Sequence, residues 1–194
     1  MAEKKLEGKK VAILVADNFE QTEMTKPRQA LDDAGAQTFI VSPAKGEVQG
    51  MNHDVKANKF KVDVQLDEAN PDDFDALLLP GGALNPDQLR NMDKAKEFVR
   101  RFDDEGKPMA IICHAPWTLV SAGLVKGRTM TSWPSIKDDL KNAGANWVDK
   151  DVVIDDNWVS SRGPQDIPVF NEHMIQLFAE GKKQAKRREP AQAM

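Results

Sequence analysis

The chain has 194 residues, of which 40% are hydrophobic and 30% are charged, and its formal net charge is -4. This length and composition are typical of one soluble globular domain with a well-buried core, so we predict a single domain over residues 1–194, with flexible tails at 1–8 and about 181–194. The negative charge disfavours nucleic acid as a stable partner, and no apolar run reaches the roughly 18 residues that a transmembrane helix requires.

Strand and helix patterns alternate along the first half of the chain. An apolar strand is predicted over residues 9–16, a helix over 21–34 that ends at Gly35, and a second strand over 37–42. Such a strand–helix–strand unit is parallel, with a right-handed crossover. Residues 46–61 alternate in the manner of short strands or a hairpin. A third core strand covers 76–79 and is followed by two adjacent glycines.

The second half continues the alternation of strands and helices. Further strands are predicted over residues 109–112, 128–132, 147–148, 152–154 and 158–161. Further helices are predicted over 93–105, 116–122, 135–143 and 164–180. Strands that alternate with helices in this way indicate a three-layer α/β domain around a parallel sheet.

The only cysteine, Cys113, directly follows the apolar strand 109–112. Pro116, three residues later, suits the first turn of a helix, because its missing N–H has no partner there in any case. We therefore expect Cys113 at a sharp strand-to-helix corner, the geometry of a nucleophile elbow. A helix N-terminus lowers a thiol pKa and favours thiolate. A single cysteine and a first segment without a secretory pattern lead us to expect a cytoplasmic protein.

Three loops, at residues 17–20, 81–82 and 113–114, should meet at the carboxyl edge of the sheet. Open α/β sheets have their functional sites at this edge. The N–H of His114 and one N–H from Gly81 or Gly82 are candidates to bind an oxyanion beside Cys113. Glu20 is the candidate carboxyl to hydrogen-bond the sulfur. A protonated Glu20 would stabilise thiolate, an ionised one would raise the thiol pKa, or the pair would share a proton.

Each of these residues also has a plainer interpretation. A lone cysteine in an apolar run is commonly inert core, and Glu20 alone is an ordinary loop carboxylate. The histidines have no spacing typical of a metal site, and Gly81-Gly82 lacks the pattern of a phosphate-binding loop. From the residues alone, the sequence predicts an α/β protein with a cysteine site and no metal.

Several segments resemble the ThiJ/PfpI family, and most closely its PfpI-type subfamily of intracellular proteases, general stress proteins and deglycases. The resemblance covers nearly the whole chain apart from its two tails. It rests on residues 16–23, 78–82, 110–116, 127–139 and 142–162. It implies a flavodoxin-like parallel sheet of the class I glutamine-amidotransferase type.

The resemblance also implies roles for particular residues. Cys113 would be the nucleophile, His114 its catalytic neighbour and Glu20 the buried carboxyl against the cysteine. PfpI-type proteins complete the site with a glutamate from the next subunit of an oligomer, and we accordingly expect this chain to form a homodimer or a higher homo-oligomer such as a hexamer. The matching acid here is Asp87, which is one methylene shorter.

Three functions fit these features. The first is a cofactor-independent deglycase acting on methylglyoxal or glyoxal adducts of small molecules, proteins or nucleotides, with Cys113 as the thiolate. The second is an intracellular cysteine peptidase, which needs a working Asp87. The third is a redox or stress sensor without turnover, which operates through oxidation of Cys113.

Overall fold

The computed structural model describes residues 4–184. Its strands in chain order are β1 Lys10–Leu14, β2 Phe19–Glu20, β3 Gln37–Ser42, β4 Glu47–Asn52, β5 Val55–Lys61, β6 Val64–Gln65, β7 Ala76–Leu79, β8 Met109–Ile112, β9 Thr129–Met130, β10 Asn146–Trp147, β11 Val153–Asp155 and β12 Trp158–Ser161. Its helices are α1 Gln21–Asp33, α2 Leu84–Leu89, α3 Asp93–Asp104, α4 Pro116–Ser121, α5 Lys137–Asn142 and α6 Ile167–Glu180. Three short 3-10 turns cover Pro71–Asp73, Pro134–Ile136 and Pro164–Asp166.

A seven-stranded sheet with the order β11-β12-β8-β7-β1-β3-β6 forms the middle layer. All neighbouring strands in it run parallel except β11 and β12, which pair antiparallel at one edge. The strands β1, β7 and β8 are adjacent, so their carboxyl ends lie side by side. Leu79 of β7 is aligned with Ile111 of β8. Continuing this register by two residues brings Gly81 beside Cys113.

Alternate residues of the strands build two cores, one on each face of the sheet. In β1, Val11 and Ile13 belong to one core, and Ala12 and Leu14 belong to the other. Helices α1 and α6 cover the first face, while α3, α4 and α5 cover the second. The architecture is therefore the predicted three-layer α/β fold.

The main elements agree with the sequence prediction, and β3 and β7 have the predicted bounds. The two-residue strands β2 and β6 and the six-residue helix α2 were not predicted, because such short segments show too little periodicity. The predicted strand at 128–132 is reduced to β9. The last predicted helix divides into a 3-10 turn and α6. Among residues 4–184, no helix is long and apolar enough to span a membrane.

Packing extends into both predicted tails. Leu6 is fully buried and its N–H donates to the Ala34 carbonyl at 2.9 Å. The N–H of Lys183 donates to the Gly106 carbonyl at 2.9 Å. The prediction of a flexible tail is therefore wrong at Leu6, because an apolar side chain after the charged first residues fills the core on the α1 face. The remainder of both tails, residues 1–3 and 185–194, lies outside the described residues.

Candidate active site

Cys113 forms the sharp corner between β8 and α4. Its backbone φ is 63°, in the left-handed region that residues other than glycine seldom adopt. Two hydrogen bonds hold this conformation: the Cys113 N–H donates to the Ser161 carbonyl at 3.1 Å, and the Trp133 N–H donates to the Cys113 carbonyl at 3.0 Å. Strained residues of this kind persist only where their surroundings fix them, and they are concentrated at functional sites. The structure thus has the elbow geometry expected from the sequence.

The sulfur of Cys113 lies next to His114 and to the loop that follows β7, as the sequence predicts. Sγ lies 3.1 Å from Nδ1 of His114. The backbone N–H groups of Gly82 and His114 interact with the sulfur and oppose the rise in the thiol pKa that burial causes. Two N–H groups that converge on one point form the arrangement needed to bind an oxyanion.

The carboxyl against Cys113 belongs to Glu23, so the prediction that Glu20 has this position is wrong. Glu23 lies in the first turn of α1 and is fully buried, and its Oε2 accepts the Gly81 N–H at 2.8 Å. Glu20 ends β2, and its Oε2 instead accepts the His53 N–H at 3.0 Å. The change from strand to helix at Gln21 separates the directions of the two side chains, which the spacing alone does not reveal.

Burial raises the pKa of Glu23 to about 8, although hydrogen bonds to Cys113 and to the Gly81 N–H oppose the shift. Burial also raises the pKa of the Cys113 thiol, and the charge of Glu23 raises it further. The pKa of the thiol is thus raised rather than lowered as expected from the helix N-terminus, because burial and Glu23 outweigh the neighbouring N–H groups. With a pKa of about 8, Glu23 is largely protonated at pH 7. A neutral Glu23 removes the opposing charge and can donate a hydrogen bond to a thiolate.

His114 is neutral at pH 7, because burial lowers its pKa below the ordinary value. A neutral imidazole at 3.1 Å from the sulfur can accept a proton from the thiol. The rings of Trp117 and Trp133 lie 5.3 and 6.0 Å from the His114 ring, the second nearly parallel to it. Trp133 is 37% exposed, so its indole forms an aromatic wall at the mouth of the site.

Glycine is required at position 81 because its backbone lies against both reacting groups. A Cβ there would come within 2.6 Å of Oε2 of Glu23 and 2.7 Å of Cβ of Cys113. Gly82 adopts a φ of +77°, which glycine tolerates without strain. The two glycines therefore allow the loop after β7 to approach the sulfur.

Asp87 lies on the exposed side of α2. Within residues 4–184, no carboxylate accepts a hydrogen bond from the His114 ring. A Cys-His-acid arrangement is thus not completed within one chain, and a contribution of Asp87 from a second copy remains a prediction. The same residues contain no group of three or more His, Cys, Asp or Glu side chains arranged to hold a metal ion.

Comparison with known proteins places this site in a family. The sequence matches the model of the DJ-1/PfpI family over residues 9–177. The chain belongs to the DJ-1/PfpI family. It is 44% identical to Deglycase PfpI of Pyrococcus furiosus over 169 residues, which are 87% of this chain and 99% of that protein. It is 41% identical to General stress protein 18 of Bacillus subtilis over 173 residues, which are 88% of this chain and 98% of that protein.

The fold agrees with this assignment. The crystal structure of Drosophila melanogaster DJ-1beta superposes with a TM-score of 0.80 at 28% identity, over 88% of this chain and 90% of that one. The resemblance of the sequence motifs to the ThiJ/PfpI family is therefore confirmed.

Two residues of this DJ-1/PfpI site escaped the sequence reasoning. Glu23 stands in the motif 16–23, but both the position of Glu20 at the end of a strand and the family resemblance were interpreted in favour of Glu20. Asn85 is fully buried beneath the Gly81-Gly82 loop. Nothing in the sequence around Asn85 indicates that its side chain is buried, since asparagine is usually exposed.

Proposed function

We propose that the chain is a cysteine-dependent deglycase that removes methylglyoxal or glyoxal adducts from thiol and amino groups. One observation carries the proposal: the elbow thiol of Cys113 faces a buried carboxyl, Glu23, whose pKa of about 8 keeps a proton available at neutral pH. The names of its relatives, a deglycase and a general stress protein, support an enzyme of this type.

The first step exchanges the modified group for the enzyme. A methylglyoxal adduct has the form R–X–CH(OH)–CO–CH3, where X is sulfur or nitrogen. The Cys113 thiolate forms a bond to the hydroxyl-bearing carbon as the bond from that carbon to X breaks. R–XH leaves with a proton supplied by Glu23. Glu23 can act as this acid because it is largely protonated at pH 7.

The second step moves a proton between the two adjacent carbons of the bound fragment. The carbon attached to sulfur is oxidised to a thioester while the neighbouring ketone carbon is reduced to an alcohol, so no external oxidant is needed. Ionised Glu23 and neutral His114 are the bases positioned for this transfer. Water then hydrolyses the thioester, and the sum is adduct plus water giving R–XH plus lactate.

Negative charge develops on oxygen during both the proton transfer and the hydrolysis. The N–H groups of Gly82 and His114, which face the sulfur, are positioned to stabilise it. Loss of one such donor in other acyl-transfer enzymes costs about 100- to 1,000-fold in kcat. We therefore expect these two N–H groups to contribute substantially to kcat of the proposed reaction.

The two alternative functions receive less support from the site. A peptidase must protonate an amine leaving group through an oriented imidazole, yet no carboxylate of residues 4–184 orients His114. A sensor would use the same Cys113 thiolate, but oxidation of the sulfur does not require the two N–H groups of Gly82 and His114 that act on it. The deglycase uses Glu23, which is in place within a single chain.

The test is release of lactate and free thiol from methylglyoxal-modified N-acetylcysteine. We expect activity in the unsubstituted protein and none in Cys113→Ala. Glu23→Gln should lower kcat about 100-fold or more, because it removes the proton donor and acceptor at the sulfur.

Glu20→Gln is the matched comparison, since Glu20 is also buried and lies three residues away. Its effect should be at least tenfold smaller than that of Glu23→Gln, because Glu20 contacts the His53 N–H rather than the sulfur. Equal lactate release from Cys113→Ala would show that the activity does not involve this site.

A further inference from the structure

Asn85, at the start of α2, connects the ends of two strands through its side chain. It is fully buried, and its Oδ1 accepts the Ala16 N–H at 2.7 Å. Its Nδ2 donates to the Pro80 carbonyl and to the Gly81 carbonyl, each at 3.0 Å. The amide therefore uses both of its N–H donors and its oxygen, all on backbone groups around the loop that follows β7.

The hydrogen bond to the Gly81 carbonyl fixes the direction of the next N–H. In a trans peptide the carbonyl and the following N–H point in opposite directions. The Gly81 oxygen accepts hydrogen bonds from Nδ2 of Asn85 and from the Glu20 N–H, the second at 3.3 Å. The Gly82 N–H consequently points the opposite way. The loop lies against Cys113, since a Cβ at Gly81 would come within 2.7 Å of the Cys113 Cβ, and the Gly82 N–H acts on the sulfur by lowering the pKa of the thiol.

Without these bonds, the peptide between Gly81 and Gly82 has little to restrain it. Glycine rotates freely about both of its backbone dihedrals, and this peptide has a glycine on each side. Rotation of the peptide by half a turn would present the Gly81 oxygen to the sulfur in place of the Gly82 N–H. An oxygen there would repel a thiolate or an oxyanion.

We propose that Asn85 is a positioning residue that holds the Gly81-Gly82 peptide in the orientation in which its N–H stabilises negative charge at Cys113. Asn85 does not touch the reacting atoms, and it acts only through the Gly82 N–H. The kinetic part of the inference rests on the proposed deglycase function, whereas its effect on the Cys113 thiol does not.

The test is Asn85→Asp, which keeps the size of the side chain and an oxygen for the Ala16 N–H but lacks the amide donors. We expect kcat for lactate release to fall about 10- to 100-fold with KM changed less than threefold, because the lost donor acts on charge that develops in the transition state. The pH midpoint of Cys113 alkylation by iodoacetamide should rise in Asn85→Asp and also in Asn85→Ser, which adds no charge, because in both variants the Gly82 N–H no longer stabilises the thiolate.

Asn91→Asp is the matched control. Asn91 also donates its Nδ2 to a backbone carbonyl, that of Asp87 at 2.9 Å, but it is exposed and lies away from the sulfur. Its alkylation midpoint and kcat should equal those of the unsubstituted protein.

A merely structural role for Asn85 would lower the urea midpoint of unfolding and leave the alkylation profile and kcat of the folded fraction unchanged, which overturns the inference. If Asn85→Asp does not fold, Asn85→Ser takes its place in the same measurements. In the unsubstituted protein, the Gly82 amide proton resonance should titrate with the midpoint of Cys113 alkylation, and a resonance that does not titrate also overturns it. If the unsubstituted protein releases no lactate but Asn85→Asp still has a raised alkylation midpoint, the deglycase function is refuted and the role of Asn85 is not.

Discussion

Cys113 and Glu23 titrate together, because the charge of Glu23 raises the pKa of the thiol while the hydrogen bond from the thiol lowers the pKa of the carboxyl. Both are buried, and burial is the largest cause that raises the pKa of each group. Near pH 7 the pair therefore retains a proton, which the proposed deglycase mechanism transfers from the carboxyl to the leaving group. In the proposed mechanism, the thiolate of Cys113 forms together with a neutral carboxyl that donates a hydrogen bond to it, which offsets the raised pKa of the thiol.

The raised pKa of Glu23 predicts how stability depends on pH. In the unfolded chain Glu23 ionises near 4.5, whereas in the folded protein it holds its proton to about 8. Between these values the folded state binds more protons, so the contribution of Glu23 is fully present below pH 4.5 and is lost as the pH rises to about 8. The loss amounts to at most about 1.4 kcal/mol for each pH unit in this window.

Glu23→Gln removes this dependence, because glutamine does not titrate. We expect the free energy of unfolding of the variant to decline less than that of the unsubstituted protein between pH 5 and pH 8, measured by urea denaturation at both values. Glu68→Gln, at an exposed position, serves as a control that should follow the unsubstituted protein. Parallel pH profiles for Glu23→Gln and the unsubstituted protein would contradict the raised pKa.

At the scale of elements, a buried ion pair joins α3 to the strands that carry the site. Asp103 of α3 pairs with Arg128, which precedes β9, and both side chains are nearly inaccessible. The Arg128 guanidinium lies 3.9 Å from the ring centre of Trp158 in β12, and Trp158 Nε1 donates to Asp103 at 2.8 Å. Asn157 donates to the Lys107 carbonyl at 3.0 Å just before β8. The network therefore fixes the beginning of the strand that ends at Cys113.

Removal of one partner of this network should lower the stability of the folded protein. Asp103→Ala leaves the Arg128 charge buried without its carboxylate, and we expect the free energy of unfolding to fall by about 3–5 kcal/mol. Asp104→Ala, at the adjacent exposed position, should change it by less than about 0.5 kcal/mol. Urea denaturation of both variants measures the difference, and equal stabilities would show that the pair contributes little.

For the whole molecule, the open question is whether a second copy completes the site. Asp87 is exposed and makes no hydrogen bond to His114 within one chain, so we expect a neighbouring copy to bring it to the imidazole. We expect sedimentation to give a mass of at least twice the 21.6 kDa of the chain.

Any peptidase activity should then depend on Cys113 of one copy and Asp87 of another. Neither Cys113→Ala nor Asp87→Ala alone should cleave a fluorescent peptide. Co-expression of the two variants should restore about a quarter of the sites, since a site forms only where an intact Cys113 meets an intact Asp87. A monomeric mass, or full peptidase activity in Asp87→Ala, would eliminate this arrangement.

Much of the fold was predictable from local patterns. The short apolar runs at 76–79 and 109–112 could only be buried strands once glycine or proline bounded them. The same patterns placed Gly81, Gly82 and Cys113 at one edge of the sheet, because parallel strands end on the same side. Two-residue strands such as β2 escaped prediction, since their pairing depends on a distant partner, β4.

The sequence by itself determined that Cys113 lies at a strand-to-helix corner beside a glycine loop, because strand length, Pro116 and paired glycines act locally. Only the tertiary structure decided which carboxyl meets the sulfur and what orients the loop. Glu20 and Glu23 are both acidic, both buried and one helical turn apart, and the turn from β2 into α1 alone directs Glu23 to Cys113. The role of Asn85 is likewise evident only from its contacts. Its side chain bonds to Ala16 after β1, 69 residues away in the chain, and to Pro80 and Gly81 after β7, 5 and 4 residues away. Such contacts arise from the packing of remote segments, for which no local pattern exists.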